Sequence, residues 1–324
     1  MTANLQNPIF TDEAKAREWL EARVWPTGPV CPHCGSAERV TAMKGAAHRP
    51  GLYQCNEPEC REQFTVTVRT VFERSKIPLT KWLAALFLMT ASKKGVSAHQ
   101  MHRMLDISYK STWFMMHRLR EAMRTGGLEP MGGEGKIVEA DETYYGKADE
   151  PRVSPQRKGR PFTKGGRAGP HGKRPIVALV ERGGSVRSFH VPVADKISVV
   201  GIVRANIARE TTLHTDESAL YKGSAEHFAG HETVHHSSGQ YVRAGGIHTN
   251  TIEGYFSIFK RGMRGVYQHC SEKHLHRYLA EFDFRYNNRI ALGVNDNDRA
   301  SELAKGIVGK RLTYRRPHDT RIPF

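Results

Sequence analysis

The sequence predicts a mixed α/β domain behind a cysteine-rich, helical front part, and three observations carry that expectation. Two close pairs of cysteines, "CPHC" and "CNEPEC", fall between Cys31 and Cys60. Gly126, Gly127, Gly132, Gly133 and Gly135 then interrupt the chain as a hinge. Beyond the hinge, strand-like runs come first, and helix-like and strand-like runs alternate after them, which is the order of a layered α/β unit.

Taken in order, 12–23 reads as a short helix, with Ala14, Trp19, Leu20 and Ala22 on its apolar side. The cysteine segment follows, then helical patterns over 79–92, 98–105 and 111–123. After the hinge, "KIVEADETYYG" reads as a strand. "RPIVALVER" and "SVRSFHVPV" read as two more, joined by Gly183-Gly184 as a hairpin. "ISVVGIVRANIA" is expected as a helix and "TTLHTDES" as a short buried strand; "TIEGYFSIFKRGM" and "HLHRYLAEFDFRYNNR" are expected as helices. The domains expected are 1–70 (helix and cysteine segment), 71–130 (helical segment and hinge), 131–300 (α/β domain) and 301–324 (basic tail).

Lys and Arg number 49 against 33 Asp and Glu, a formal charge of +16. That excess favours a polyanionic partner through steering and counterion release. The most apolar run, "WLAALFLMTA", is far short of the roughly 20 residues a membrane span needs, so no membrane partner is expected. The N-terminus lacks the basic start and apolar core of a signal peptide, and a cytoplasmic location is expected.

In a reducing compartment, cysteines paired this closely read as metal ligands rather than disulfides. Cys31 and Cys34, then Cys55 and Cys60, would each present two sulfurs from one turn to a tetrahedral Zn²⁺. The residues after each pair, "ERVTAM" and "QFTVTV", alternate as strands do, which describes a zinc ribbon. Four thiolates leave no open coordination position, so the zinc is expected to be structural. Cys270 stands apart and reads as a packed thiol.

Ser97 and Ser111 are placed to cap two successive helices separated by a turn at Ile107-Ser108. Met101, Met104, Leu105, Trp113, Met116, Leu119 and Met123 form their packed sides. Tyr109, Lys110, Thr112, His117, Arg118 and Arg120 would then be exposed on the second helix. That is the layout of a helix-turn-helix offering its second helix to duplex DNA, although a plain packing hairpin has the same pattern.

Phosphodiester chemistry with two metal ions needs carboxylates from separate parts of a fold to converge on Mg²⁺ or Mn²⁺ about 3.5–4 Å apart. With a period of two, Ile137, Glu139 and Asp141 share one face of the first strand, and Val138, Ala140 and Glu142 the other. Asp216 ends a second strand, and Glu253 opens a following helix. Lys260, seven residues beyond Glu253, falls on the same helix face, where it can meet a phosphate. Read singly, Asp141 and Asp216 are turn-formers, and Glu253 is the partner of an Asn250 helix cap.

"EADETYYGK", "LHTDESALY", "HTNTIEGYFSIFKRGMRGVYQH", "FDFRYNNR" and "KRLTYR" together resemble insertion-sequence transposases of the ISXO type, as do the ribbon and the helical segment. The resemblance implies a ribonuclease-H-like catalytic domain of the DDE superfamily that cleaves and joins element ends with two Mg²⁺ or Mn²⁺ ions. Carried onto this chain, Asp141 and Asp216 are the first two acids. The third position in the family is Asn or Glu accompanied by a lysine, and both Asn250 and Glu253 occur here beside Lys260. Glu253 is favoured because a carboxylate suits a hard cation better than an amide; Asn250 is the alternative. The partners implied are double-stranded DNA at the element's inverted repeats and at the target, bound by a dimer or larger assembly. An inactive DNA-binding regulator and a stand-alone nuclease of the same fold are the competing functions. The basic stretches Lys147–Arg174 and "KRLTYRRPHDTR" are expected to contact DNA backbone.

Overall fold

In a computed structural model, residues 6–149, 163–164, 167–168 and 172–313 are described. The chain divides into two compact units, Met1–Thr125 with Val294–Phe324, and Gly126–Gly293.

In the first unit, Asp12 caps helix α1 (Glu13–Val24) by accepting from the backbone N–H groups of Ala14 and Lys15. Its buried stripe is Ala16 and Leu20; Ala14 and Ala22 are exposed, contrary to expectation. The cysteine segment forms an antiparallel sheet of β1 (Val40–Ala42), β2 (Tyr53–Cys55) and β3 (Gln63–Phe64) in that spatial order. Its buried core is only Cys31, Cys55 and Phe64, with Trp25 edge-on to Tyr53 and Phe64. Helix α2 (Leu79–Ala91) starts on a remote cap: the Glu13 carboxylate accepts from the N–H groups of Leu79 and Thr80 and from the Thr80 hydroxyl. Ser97 caps α3 (Ala98–Leu105) as expected. Helix α4 (Tyr109–Met123) is capped by Ser108 and not by Ser111, so it begins two residues earlier than its apolar periodicity indicates.

The second unit is built on a five-stranded sheet. Strands β4 (Ile137–Lys147), β5 (Lys173–Glu181) and β6 (Val186–His190) form an antiparallel meander. Helix α5 (Lys196–Asn206) leads to β7 (Thr212–Asp216), which returns parallel to β4 on its other side, and β8 (Gly230–Val234) adds in parallel at the edge. The spatial order is therefore β8-β7-β4-β5-β6. This is the ribonuclease-H-like mixed sheet that the resemblance implies.

Interior strand β5 is buried from Arg174 to Val180, which explains its unbroken apolar run. One sheet face (Ile176, Ala178, Val180, Val186) packs on α6 (Asn250–Gly262) and α7 (Leu275–Asn287) through Ile252, Phe256, Phe259, Leu279 and Phe282. The other (Val138, Ala140, Val177, Leu179) packs on Val199 and Val203 of α5 and on Tyr221.

The C-terminal end differs from the expected division. The second unit closes at Gly293, and α8 (Asp296–Lys305), started by an Asn295–Asp298 capping box, packs on α1 and α2 of the first unit. Residues 301–313 thus open with the end of a packed helix rather than a free tail, and Lys310 Nζ donates to the carbonyls of Ala122 and Arg124 at the end of α4. Residues 314–324 and most of the basic stretch 147–174 lie outside the described residues. Among the described residues, no helix is long and apolar enough to cross a membrane.

Candidate active site

Asp141, Glu142 and Asp216 each offer a carboxylate oxygen within 4.8 Å of the others. The backbone accounts for the meeting. β7 pairs with β4 only over Ile137–Glu139, so past Glu139 the two strands no longer share a ladder. Asp141 and Glu142 on one strand and Asp216 at the end of the other face the opening. Glu142 keeps the opposite face that a period of two gives it, paired with Val177 and bonded to Tyr221 of that layer, and where β7 no longer flanks β4 its carboxylate comes within reach of Asp141 and Asp216. It accepts from Tyr221 Oη at 3.0 Å and lies 3.5 Å from Ser218 Oγ, while Asp216 accepts from the Ser218 N–H at 3.0 Å. Burial, then the neighbouring carboxylates Glu142 and Asp216, hold Asp141 well above the usual carboxylate range. Burial also raises Glu142 and Asp216.

Asp141 and Glu142 line a cleft of about 680 Å³ with Glu253 and Lys260 of α6, as well as Arg261 and Arg264. Ile252, Phe256, Phe259 and Met263 are buried at helical spacing and seat this helix on the sheet. The Glu253 carboxylate stands 3.5 Å from His236 Nε2 and 3.4 Å from Thr249 Oγ1. Burial lowers the Lys260 pKa, and nearby Asp141 acts in the opposite direction. Asn250 is the first residue of α6 rather than its cap, is exposed, and is absent from the cleft lining.

The four cysteines likewise converge, with all sulfurs within 4.8 Å of one another. Cys31 Sγ lies 3.7 Å from Cys60 Sγ, and Cys34 Sγ lies 3.6 Å from Cys55 Sγ. A tetrahedron with Zn–S bonds of about 2.3 Å sets its sulfurs about 3.8 Å apart, so the donor set fits a tetrahedral ion. Cys270 is partly buried against the α6/α7 core, as expected of a packed thiol.

The helix pair corrects the expected DNA-facing set. Tyr109 and Lys110 are exposed at the start of α4, but Thr112, His117, Arg118 and Arg120 are buried. Thr112 Oγ1 donates to the Ser108 carbonyl at 3.0 Å, His117 packs on the Trp113 ring, and Arg118 donates to the Glu73 carbonyl at 2.5 Å. The cause is that α4 packs against α2, α3 and α8, so its exposed residues are confined to the first turn. Met104, expected on the packed side, is 49% exposed.

Residues 132–287 match the family model described as an ISXO2-like transposase domain, and residues 11–63 match a transposase zinc-ribbon domain. A Halobacterium salinarum relative, "Uncharacterized protein in transposable element ISH50", is 30% identical over 283 residues, covering 85% of this chain and 91% of the relative. The chain belongs to the ISXO2-like transposase family. Solved structures similar to this family member include the simian T-cell lymphotropic virus intasome in complex with PP2A regulatory subunit B56 gamma (13% identity, 56% of this chain, 67% of that chain, TM-score 0.27). The Mos1 strand transfer complex is another (12% identity, 65% and 77%, TM-score 0.22). At those TM-scores the likeness carries no argument.

In this transposase-family chain the all-oxygen set of Asp141, Glu142 and Asp216 suits a hard divalent cation, whose charge would offset the burial that raises all three pKa values and the carboxylate repulsion added at Asp141 and Glu142. Two residues of the site carry no decisive signal in the sequence. Glu142 stands beside Asp141, but a period of two places it on the other strand face. His236, at the Glu253 carboxylate, had no local signal to set it apart from the other sixteen of the chain's 17 histidines.

Proposed function

We propose that this transposase-family chain binds the ends of an insertion sequence and carries out metal-dependent DNA cleavage and strand transfer. The observation that supports it best is the convergence of Asp141, midway along β4, and Asp216, at the end of the adjacent β7, beside a cleft lined by Glu253 and Lys260. Asp141 and Asp216 would hold the Mg²⁺ or Mn²⁺ ions, with Glu253 as third acid and Asn250 as the alternative; Glu142, grouped with Asp141 and Asp216, would be a further donor. Bound there, two ions supply activation of the attacking water or 3′-hydroxyl and stabilisation of the leaving oxygen. Lys260 contributes a positive charge at the cleft wall for the phosphate, and its partial burial strengthens that interaction. The cysteine cluster would hold one structural zinc, and the exposed first turn of α4, with Tyr109 and Lys110, would face duplex DNA. Pairing two element ends calls for a dimer or larger assembly on DNA.

The test is Mg²⁺- or Mn²⁺-dependent cleavage and joining of duplexes carrying the inverted repeats that flank the coding sequence. Asp141→Asn and Asp216→Asn should abolish both steps. Unchanged activity in those variants would remove the two-metal reading, and end binding without cleavage under any metal would mark a DNA-binding regulator.

A further inference from the structure

Beneath the acids, a buried cluster centred on Glu139 ties together the three elements that carry them. Glu139 is fully buried on β4, two residues before Asp141. Its carboxylate accepts from Arg182 Nε at 2.7 Å, from Thr251 Oγ1 at 2.9 Å and from the Ile252 backbone N–H at 2.9 Å. His248 Nδ1 lies 3.3 Å away. The Arg182 guanidinium also donates to the carbonyls of Gly246 and His248, both at 2.7 Å, and stands 3.1 Å from His214 Nδ1. His214 is the register partner of Glu139 across β4 and β7 and precedes Asp216 by two residues. One cluster therefore touches β4 just before Asp141, β7 just before Asp216 and α6 just before Glu253.

A carboxylate removed from water is costly unless its oxygens are satisfied. Here they are satisfied at the start of a helix that lacks its own cap. Thr249, the N-cap residue of α6, makes no side-chain cap bond, and its hydroxyl stands against Glu253 instead. The Ile252 N–H would then be an orphan donor; Glu139 supplies the acceptor and sets a negative charge at the positive end of the helix. Glu253 is the next residue along the helix. We propose that Glu139 is a positioning residue of the active site, clamping the start of α6 to the strands that bear Asp141 and Asp216. The proposal rests on the two-metal reading of those acids.

The experiment uses full-length, zinc-loaded protein and measures Mn²⁺ binding by electron paramagnetic resonance without DNA, alongside end cleavage and thermal melting. Glu139→Ala removes every contact, Glu139→Gln keeps an oxygen for Ile252 but loses the ion pair, and Thr251→Val removes one donor without stranding a buried charge. Mn²⁺ affinity should fall about 10–100-fold in Glu139→Ala, less in Glu139→Gln and least in Thr251→Val, with cleavage recovering as Mn²⁺ is raised. Should Glu139→Ala fail to fold, the other two variants carry the test. Wild-type Mn²⁺ affinity in the folded variants overturns the positioning role. So does a loss of cleavage that follows melting temperature alone. Asp141→Asn is run in parallel: if it binds Mn²⁺ and cleaves normally, the two-metal reading itself fails. If it is inactive while the Glu139 and Thr251 variants behave as wild type, only the positioning role is lost.

Discussion

Asp283→Asn is expected to remove a pH-dependent loss of stability from the unit 126–293. Asp283 lies on α7, and its carboxyl accepts from the Ser188 N–H at 2.9 Å, the Ser188 hydroxyl at 2.8 Å and the Tyr255 hydroxyl at 2.5 Å, joining β6, α6 and α7. Burial pushes this carboxyl from the ordinary 3.8 up to about 7, against the opposing effect of the Tyr255 and Ser188 hydrogen bonds. With its folded pKa above its unfolded one, the folded state holds the extra proton between the two values. This contribution is present in full below the unfolded pKa and falls away as pH rises through the folded pKa. A gap of about three pH units at about 1.4 kcal/mol each sets a ceiling of about 4 kcal/mol, lost between about pH 4 and pH 7. Asparagine resembles the neutral acid, so the variant should match the wild type at about pH 4 and below, gain on it progressively as pH rises, and exceed it by the full amount above about pH 7.5. Urea unfolding of the metal-free proteins across this range measures the difference, in which the site acids, common to both proteins, cancel. A difference that stays constant with pH, or a wild type more stable at high pH, refutes the reasoning and means that the three donors hold the ionised form.

Mg²⁺ or Mn²⁺ at a hundred times its Kd should stabilise the wild type by about 2.7 kcal/mol and Asp141→Asn by clearly less, as read by melting. Because burial and neighbouring carboxylates raise Asp141, the metal-free protein should lose stability as pH rises through that raised value, and the cation should reverse the loss. Lys260→Met should slow end cleavage about 10²–10³-fold. Glu253→Gln should weaken Mn²⁺ binding at least about tenfold and Asn250→Ala hardly at all; normal cleavage by Glu253→Gln would reassign the third position. Elemental analysis should find one zinc per chain, lost in Cys60→Ser together with end binding; a folded ribbon without zinc would sink that assignment, since so small a core depends on about 10–16 kcal/mol of metal binding. Lys110→Ala should weaken end binding and reduce its salt dependence, whereas buried His117→Ala should instead cost about 1–3 kcal/mol of stability.

Most elements were legible because their signals are local. The α3 boundaries follow from a serine cap and helical spacing, and the β5–β6 hairpin follows from two β-rich runs around Gly183-Gly184. Elements with weak apolar patterns were missed. β2 is three residues long, β8 ("GHETV") is a half-buried edge strand, and α8 ("DNDRASELAK") buries only a narrow stripe around Ala300, Leu303 and Ala304. Burial of Thr112, His117, Arg118 and Arg120 was illegible for a different reason: it depends on what α2 and α8 place against α4.

The sequence by itself determined the paired-cysteine ribbon, the strand-borne acids Asp141 and Asp216, and the shared face of Glu253 and Lys260, because spacing along one element is a local property of the backbone. Tertiary structure alone decided that Glu142 joins those acids, that Asn250 stays outside the cleft, and that Glu139 holds the start of α6. Those outcomes depend on where β4 stops pairing with β7 and on which buried carboxylate meets an uncapped helix. Both are relations between distant segments, and no periodicity within either segment encodes them.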